Sequence, residues 1–207
     1  MLALQTPIHK PSSTHITSNY SHTMAPRLEK RFTMRGYTSE DATCDLKAMR
    51  SGPTRLIVPV VGGFIRGEGL EAEVLSGGGD WPLVCPSVTI SCSCVQRVDQ
   101  HTLQIDPSTD VAHLDVRAHA RASNGHYIFV HYTGVMKVDA SLSKVLTGAE
   151  DAETTSFGDH YWYSTPIFET SDPTLKWIED AAWVGQGRVV VDDHGSAVEY
   201  EIYQVVN

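Results

Sequence analysis

Two alternating runs joined by a tight turn constrain this chain more than any other feature. Ala112–Ala122 and His126–Thr133 alternate apolar and polar residues, and Ser123-Asn124-Gly125 separates them. Asn-Gly between alternating runs supplies the positive-φ positions a short hairpin turn needs. The segment is therefore expected to form an antiparallel hairpin. Similar punctuation recurs along the chain. Leu28–Tyr37, Arg55–Val61, Leu70–Leu75, Leu83–Cys85, Val88–Val95, His160–Glu169, Ala181–Gly185, Arg188–Asp192 and Ala197–Val205 read as further strands. Gly62-Gly63, Gly77-Gly78-Gly79, Pro86, Gly185-Gln186-Gly187 and Asp193-His194-Gly195 bound them, each a turn or breaker signal. Thr38–Pro53 reads as a polar connection. Helix signals are confined to Asp139–Leu146, with Gly148 just past its end, and to a turn opened by Asp172-Pro173.

Strands this short and this regularly spaced predict an all-β fold with one or two short helices. A single antiparallel β-barrel of about 8–10 strands is the expected form, because closure removes exposed edges. A barrel of about eight strands is just wide enough to hold one small ligand. The barrel domain is expected over residues 28–207. Residues 1–23 read as a poorly packed tail rich in Ser, Thr and His, and Met24 stands as an alternative start.

Charge and composition exclude several partners. With 16 Lys+Arg against 25 Asp+Glu the net charge is −9, which disfavours the phosphate backbone of nucleic acid. No apolar run approaches the ~20 residues of a membrane span. The N-terminus lacks the compact apolar stretch of a secretory signal. Cys44, Cys85, Cys92 and Cys94 form no C-x-x-C pair, so reduced thiols and a cytoplasmic setting are expected. Cys92 and Cys94 share a strand face and read as buried thiols.

Chemistry concentrates in two places. On the strand His113–Arg121, one parity carries His113, Asp115, Arg117, His119 and Arg121, and the other is mostly alanine. Either the charged set is a solvated outer face, or it lines a cavity together with Tyr127, Phe129 and His131 of the partner strand. Tyr161 and Tyr163 would add a wall. The second place is Gly77-Gly78-Gly79-Asp80-Trp81. There a carboxylate beside a flat ring could be raised toward neutrality, as a general acid or base requires, or Asp80 could simply accept backbone N–H groups at the end of a strand. Arg117 and Arg121 among the histidines argue against a metal, and no cofactor motif is present.

In order along the chain, Leu56-Ile57-Val58-Pro59-Val60 with Gly62-Gly63, Gly69-Leu70, Gly77-Gly78-Gly79-Asp80-Trp81, Leu114-Asp115-Val116-Arg117, the Gly125 hairpin, Thr165-Pro166 through Asp172-Pro173, Trp177 and Val184-Gly185-Gln186-Gly187 resemble the domain of unknown function 3237 family. The resemblance covers about residues 28–207. It implies a small barrel similar to the allene oxide cyclase and dirigent barrels, and a cavity set of Asp80, Trp81, Asp115 and Arg121. Bacterial-type members show Arg-Asn-Arg where this chain has His131-Tyr132-Thr133. The tail and loop style resemble fungal members that serve specialised metabolism.

Together these readings predict a cofactor-independent isomerase, cyclase or dehydratase acting on a polyketide-like or aromatic molecule. Asp80 or Asp115 would act as acid or base, with His119 or His131 as the complementary partner. Arg117 or Arg121 would stabilise an oxyanion, and Trp81, Tyr127, Phe129, Tyr161 and Tyr163 would form the walls. A non-catalytic carrier and a structural oligomerisation module are the alternatives. A homodimer or higher homo-oligomer is expected.

Overall fold

Alternation sets the strands and glycine sets their crossings in the computed structural model of this chain, which describes residues 25–39, 41–48, 54–81, 83–84, 105–106, 111–146 and 149–207. The strands are β1 (Arg27–Thr38), β2 (Cys44–Ala48), β3 (Thr54–Gly67), β4 (Leu70–Val74), β5 (Gly78–Asp80), β6 (Leu83–Val84), β7 (Ile105–Asp106), β8 (Val111–Ala122), β9 (Tyr127–Lys137), β10 (Trp162–Thr170), β11 (Trp183–Asp192) and β12 (Gly195–Val206). One short helix, α1 (Ala140–Leu146), follows β9, and a 3-10 turn spans Lys176–Ile178. The neighbours run β1, β12, β11, β10, β9, β8, β4, β3, and β3 pairs back onto β1. All these pairings are antiparallel, so the sheet closes into the expected barrel.

The charged set of β8 faces outward. Ala112, Leu114, Val116, Ala118, Ala120 and Ala122 are buried, while His113, Asp115, Arg117, His119 and Arg121 lie on the other parity. The reason is energetic: burying an unpaired charge costs far more than burying a methyl group gains. Alanines suffice inside because bulky side chains from other walls fill the space above them, among them Tyr132, Trp162 and Tyr200. At one end Phe32, Phe168, Trp177 and Trp183 close the interior, with ring centroids 5.2 to 5.9 Å apart for the contacts centred on Trp183.

Three sequence readings are corrected. β3 runs unbroken through Gly62-Gly63. The polar connection 38–53 contains β2, paired with β3. Gly185-Gln186-Gly187 is the middle of the single strand β11 rather than a turn. Here glycine provides clearance: a Cβ on Gly187 would stand 2.6 Å from the Trp162 ring, and one on Gly185 would stand 2.5 Å from Ser164 Oγ. Gly187→Ala is therefore expected to cost about 1–3 kcal/mol in urea denaturation by forcing the indole aside. An unchanged midpoint would refute this packing. Val88–Val95, Cys85, Cys92, Cys94 and the tail 1–23 lie outside the described residues.

Candidate functional site

Asp80 ends β5, and its place opposite the inward-facing Val116 of β8 turns its side chain inward. It pairs with Val58 on β3 and Val116 on β8, and it is only 8% exposed. Gly78 and Gly79 let this strand sit close between its neighbours; a Cβ on Gly78 would meet the Arg117 carbonyl oxygen at 2.6 Å. Asp80 Oδ1 accepts the Asp115 N–H at 3.1 Å. Burial pushes the Asp80 carboxyl up from 3.8 to about 7; the Asp115 charge adds to the rise, and the backbone N–H groups of Asp115 and Trp81 offset part of it. Both sequence readings of Asp80 therefore meet in one residue: it caps a strand end and it is buried. Beyond it the chain stays with β3 as β6, while β8 takes up β7, so among the described residues the wall divides at Asp80.

Two phenols and an indole share this interior. Trp162 Nε1–H donates to the Tyr200 hydroxyl oxygen at 2.9 Å, and the Tyr132 and Tyr200 rings meet edge to face at 5.2 Å. Burial, with the charge of Asp80 as a further cause, pushes both phenols up, so they stay neutral donors at any physiological pH. A cavity of about 20 Å³ lies against them, bounded mainly by aliphatic residues such as Met34, Val60, Val74 and Val116. That is room for about one water.

The other expected site residues are brought together on the outside of the barrel. Asp115 Oδ1 accepts from Arg117 Nη1 at 2.9 Å and lies 3.1 Å from His131 Nε2. The Arg117 guanidinium sits 5.7 Å from the centre of the Trp81 ring, which places that ring toward the outer cluster. Arg121 pairs with Glu73 at 3.2 Å. His119, Tyr127, Phe129, Tyr161 and Tyr163 also face outward. The expectation that these residues line the hollow is thus corrected, and Asp80 alone of the proposed catalytic set points into it. Asp115 still touches the interior through its backbone N–H.

The family described as protein of unknown function (DUF3237) matches residues 26–205. The chain belongs to this family. This DUF3237 chain is 24% identical over 145 residues to a UPF0311 protein of Rhodopseudomonas palustris, covering 68% of this chain and 78% of that protein. It is 25% identical over 127 residues to PR-toxin biosynthesis cluster protein 7 of Penicillium roqueforti, covering 61% of this chain and 56% of that one. A crystal structure of a conserved Rhodopseudomonas palustris protein of unknown function shares the fold at a TM-score of 0.64 and 19% identity, over 89% of this chain and 100% of that one. A β-barrel-like protein from Acinetobacter baumannii does so at 0.57 and 21%, over 87% and 96%.

Sequence reasoning missed several interior polar groups of this DUF3237 barrel. Tyr132 lies on the opposite parity from Phe129 and His131, which is the inward one. His160 precedes Trp162 on the inward parity of β10, and its side chain is 3% exposed. Its Nδ1 lies 2.5 Å from Asp139 Oδ2, while Asp139 Oδ1 accepts the N–H groups of Ser141 and Leu142 and so caps α1. His160 Nε2 and Ser164 Oγ have no hydrogen-bond partner among the described residues. The Asp139 cap was legible as a helix start; its reach to His160 was not.

Proposed function

We propose that this chain is a cofactor-independent acid–base enzyme of specialised metabolism, an isomerase, cyclase or dehydratase for an aromatic or polyketide-like molecule, with Asp80 as its proton-transfer group. One observation carries this reading: a buried carboxyl that titrates near neutrality, beside two neutral phenols, where the barrel wall divides. Near pH 7 such a group both accepts and returns a proton, which is the requirement for moving a proton between two positions of one substrate. Tyr200, hydrogen-bonded by both Tyr132 and Trp162, is the phenol suited to donate to an oxygen that gains negative charge during the transfer. The cavity beside the phenols takes about one water, so the bulk of a ligand stays outside it. The likeness to a PR-toxin biosynthesis cluster protein supports the metabolic setting.

The test is incubation of the purified full chain with a panel of aromatic polyketides, followed by chromatography and mass spectrometry. Isomerised or dehydrated product above the buffer control, with a rate that breaks near pH 7, is the expected result. Saturable binding with no product would make the protein a carrier and end the enzymatic reading.

A further inference from the structure

Six of the nine large apolar side chains that stand exposed among the described residues lie on one outer surface: Tyr127, Phe129, Val135, Tyr161, Tyr163 and Ile167. They belong to β9 and β10 or directly adjoin them, and Ile167 is 62% exposed. Apolar side chains gathered on one face mark a contact. They form two groups, Tyr127, Phe129 and Ile167 on one side of His131, Thr133 and Thr165, and Val135, Tyr161 and Tyr163 on the other. The row beside it, on β8, is basic: His113, Arg117, His119 and Arg121, with Asp115 already held by Arg117 and His131. On the far side, the outward row of β10 carries no cation and ends in Glu169. Next to Glu169 an open groove of about 670 Å³ is lined by Tyr127, Phe129, Lys176 and Glu179 among others. Within it Lys176 is already paired with Glu179 at 2.7 Å.

The outward row of β9 mixes Tyr127, Phe129 and Val135 with His131, Thr133 and Lys137, so the face runs from basic on β8 through a mixed β9 to Glu169 at the end of β10, and one rotation sets its basic row on that acidic end. Any two-fold axis in the plane of the face stacks it on its own copy, and two of them align strand with strand. An axis across the strands lays β8 on β8 and sets arginine against the same basic row. An axis along β9 lays β8 of one copy on β10 of the other at equal height. The register fixes the heights: His119, Phe129 and Glu169 stand level, as do Arg117, His131 and Ile167. His119 then faces Glu169, Arg117 covers Ile167, and Arg121 reaches the groove that holds Glu169 and Glu179. β9 meets β9 along its outward row, so Phe129 and Val135 meet their own copies, and Lys137, held over the Tyr161 ring at 5.2 Å, lies beside its own copy at the end of the strand. We infer that this face is a two-fold homodimer interface with its axis along β9.

Size limits the strength. Three strands about 4.8 Å apart and about 11 residues long present roughly 500 Å² of projected sheet. Typical stable interfaces bury ~800 Å² of accessible surface per partner, which side-chain relief on this face approaches. An interface at or below the standard size is expected to be weak and concentration-dependent. It is independent of the catalytic reading, since none of these side chains enters the barrel.

Sedimentation equilibrium of the full chain tests it. The expected result is a species of twice 22.7 kDa at tens of micromolar protein, dissociating on dilution. Glu169→Arg and His119→Glu should each weaken the dimer about tenfold or more by setting like charges together, and the double variant should recover it. Ile167→Glu should give monomer, whereas Val61→Glu, on another exposed wall, should leave the dimer intact. All of these side chains face solvent, so unchanged circular dichroism and Tm establish that the variants fold. A wild-type monomer at ~100 µM, or a dimeric Ile167→Glu, overturns the interface. Failure of the double charge swap to restore what its single variants lose overturns the axis.

Discussion

Asp80→Asn is expected to stabilise the protein at pH 8 while removing its turnover. The Asp80 carboxyl rises from 3.8 to about 7 on folding, chiefly because burial disfavours its charge. Between those values the unfolded chain has released a proton that the folded chain keeps. The unfolded state then binds fewer protons, so stability falls as pH climbs from about 4 to about 7 and stays lowered above that. At about 1.4 kcal/mol per pH unit, the full loss is on the order of 4 kcal/mol as an upper figure. Asparagine does not ionise, and its Oδ1 still accepts the Asp115 N–H. The variant should therefore gain up to about 10 °C in Tm at pH 8, and the gain should vanish below about pH 4. Turnover should fall by ~10²–10⁴, because a positioned proton-transfer group supplies about that much. Stability gained together with activity lost is the mark of a residue retained for function. If thermal melts at pH 8 show the variant less stable than wild type, the carboxylate serves the strand end alone and the assignment to proton transfer fails.

Which groups face that carboxyl was only partly legible in the sequence. Alternation separated the charged and alanine sets of β8 correctly, because strand parity is local. It did not say which set was inside, since exchanging the two leaves the pattern unchanged. The decision comes from side chains distant in sequence: Trp162 and Tyr200 need alanine-sized neighbours across the barrel. Once the alanines are inside, the Asn124-Gly125 turn fixes the rest, and Tyr132 must follow Val116 into the interior while His131 follows Arg117 out. Glycine carried a second ambiguity. Gly125 and Gly195 have φ of 88° and 107° and do turn the chain, whereas Gly185 and Gly187 lie in an unbroken strand beneath Ser164 and Trp162. Turn and clearance use the same residue type, and only the facing strand tells them apart. The His160–Asp139 contact spans 21 residues and two elements, so no local signal marks it.

The same dependence on distant partners makes Glu199 a sensitive structural position. It lies on the outward parity of β12, opposite Arg35 on β1 and Arg188 on β11, yet it is only 3% exposed. Its Oε2 accepts from Arg35 Nε at 2.6 Å, and its Oε1 accepts from Arg188 Nε at 2.9 Å and Nη2 at 2.6 Å. Phe157 covers the Arg188 guanidinium at 4.6 Å, and Phe64 lies 5.2 Å from that of Arg35. The cluster closes a weak place in the wall. β10 and β11 are paired only at Tyr163–Gln186 and Ser164–Gly185. Below that, Thr154 and Thr155 take over from β10: their Oγ1 atoms accept the Val191 and Val189 N–H groups at 2.9 and 3.1 Å. Arg188 reaches the Thr155 carbonyl from the Glu199 side at 3.4 Å. Glu199→Ala strips the shared anion from two partly buried guanidinium groups, of which only Arg35 keeps another carboxylate, Asp192 at 3.2 Å. Breaking such a buried cluster costs about 3–5 kcal/mol. Urea denaturation should register that loss, and hydrogen exchange should quicken first at the amides of residues 154–157 and 187–191, where the seam depends on Arg188. A cost under about 1 kcal/mol with seam protection unchanged would mean that the threonine contacts close the barrel without the cluster.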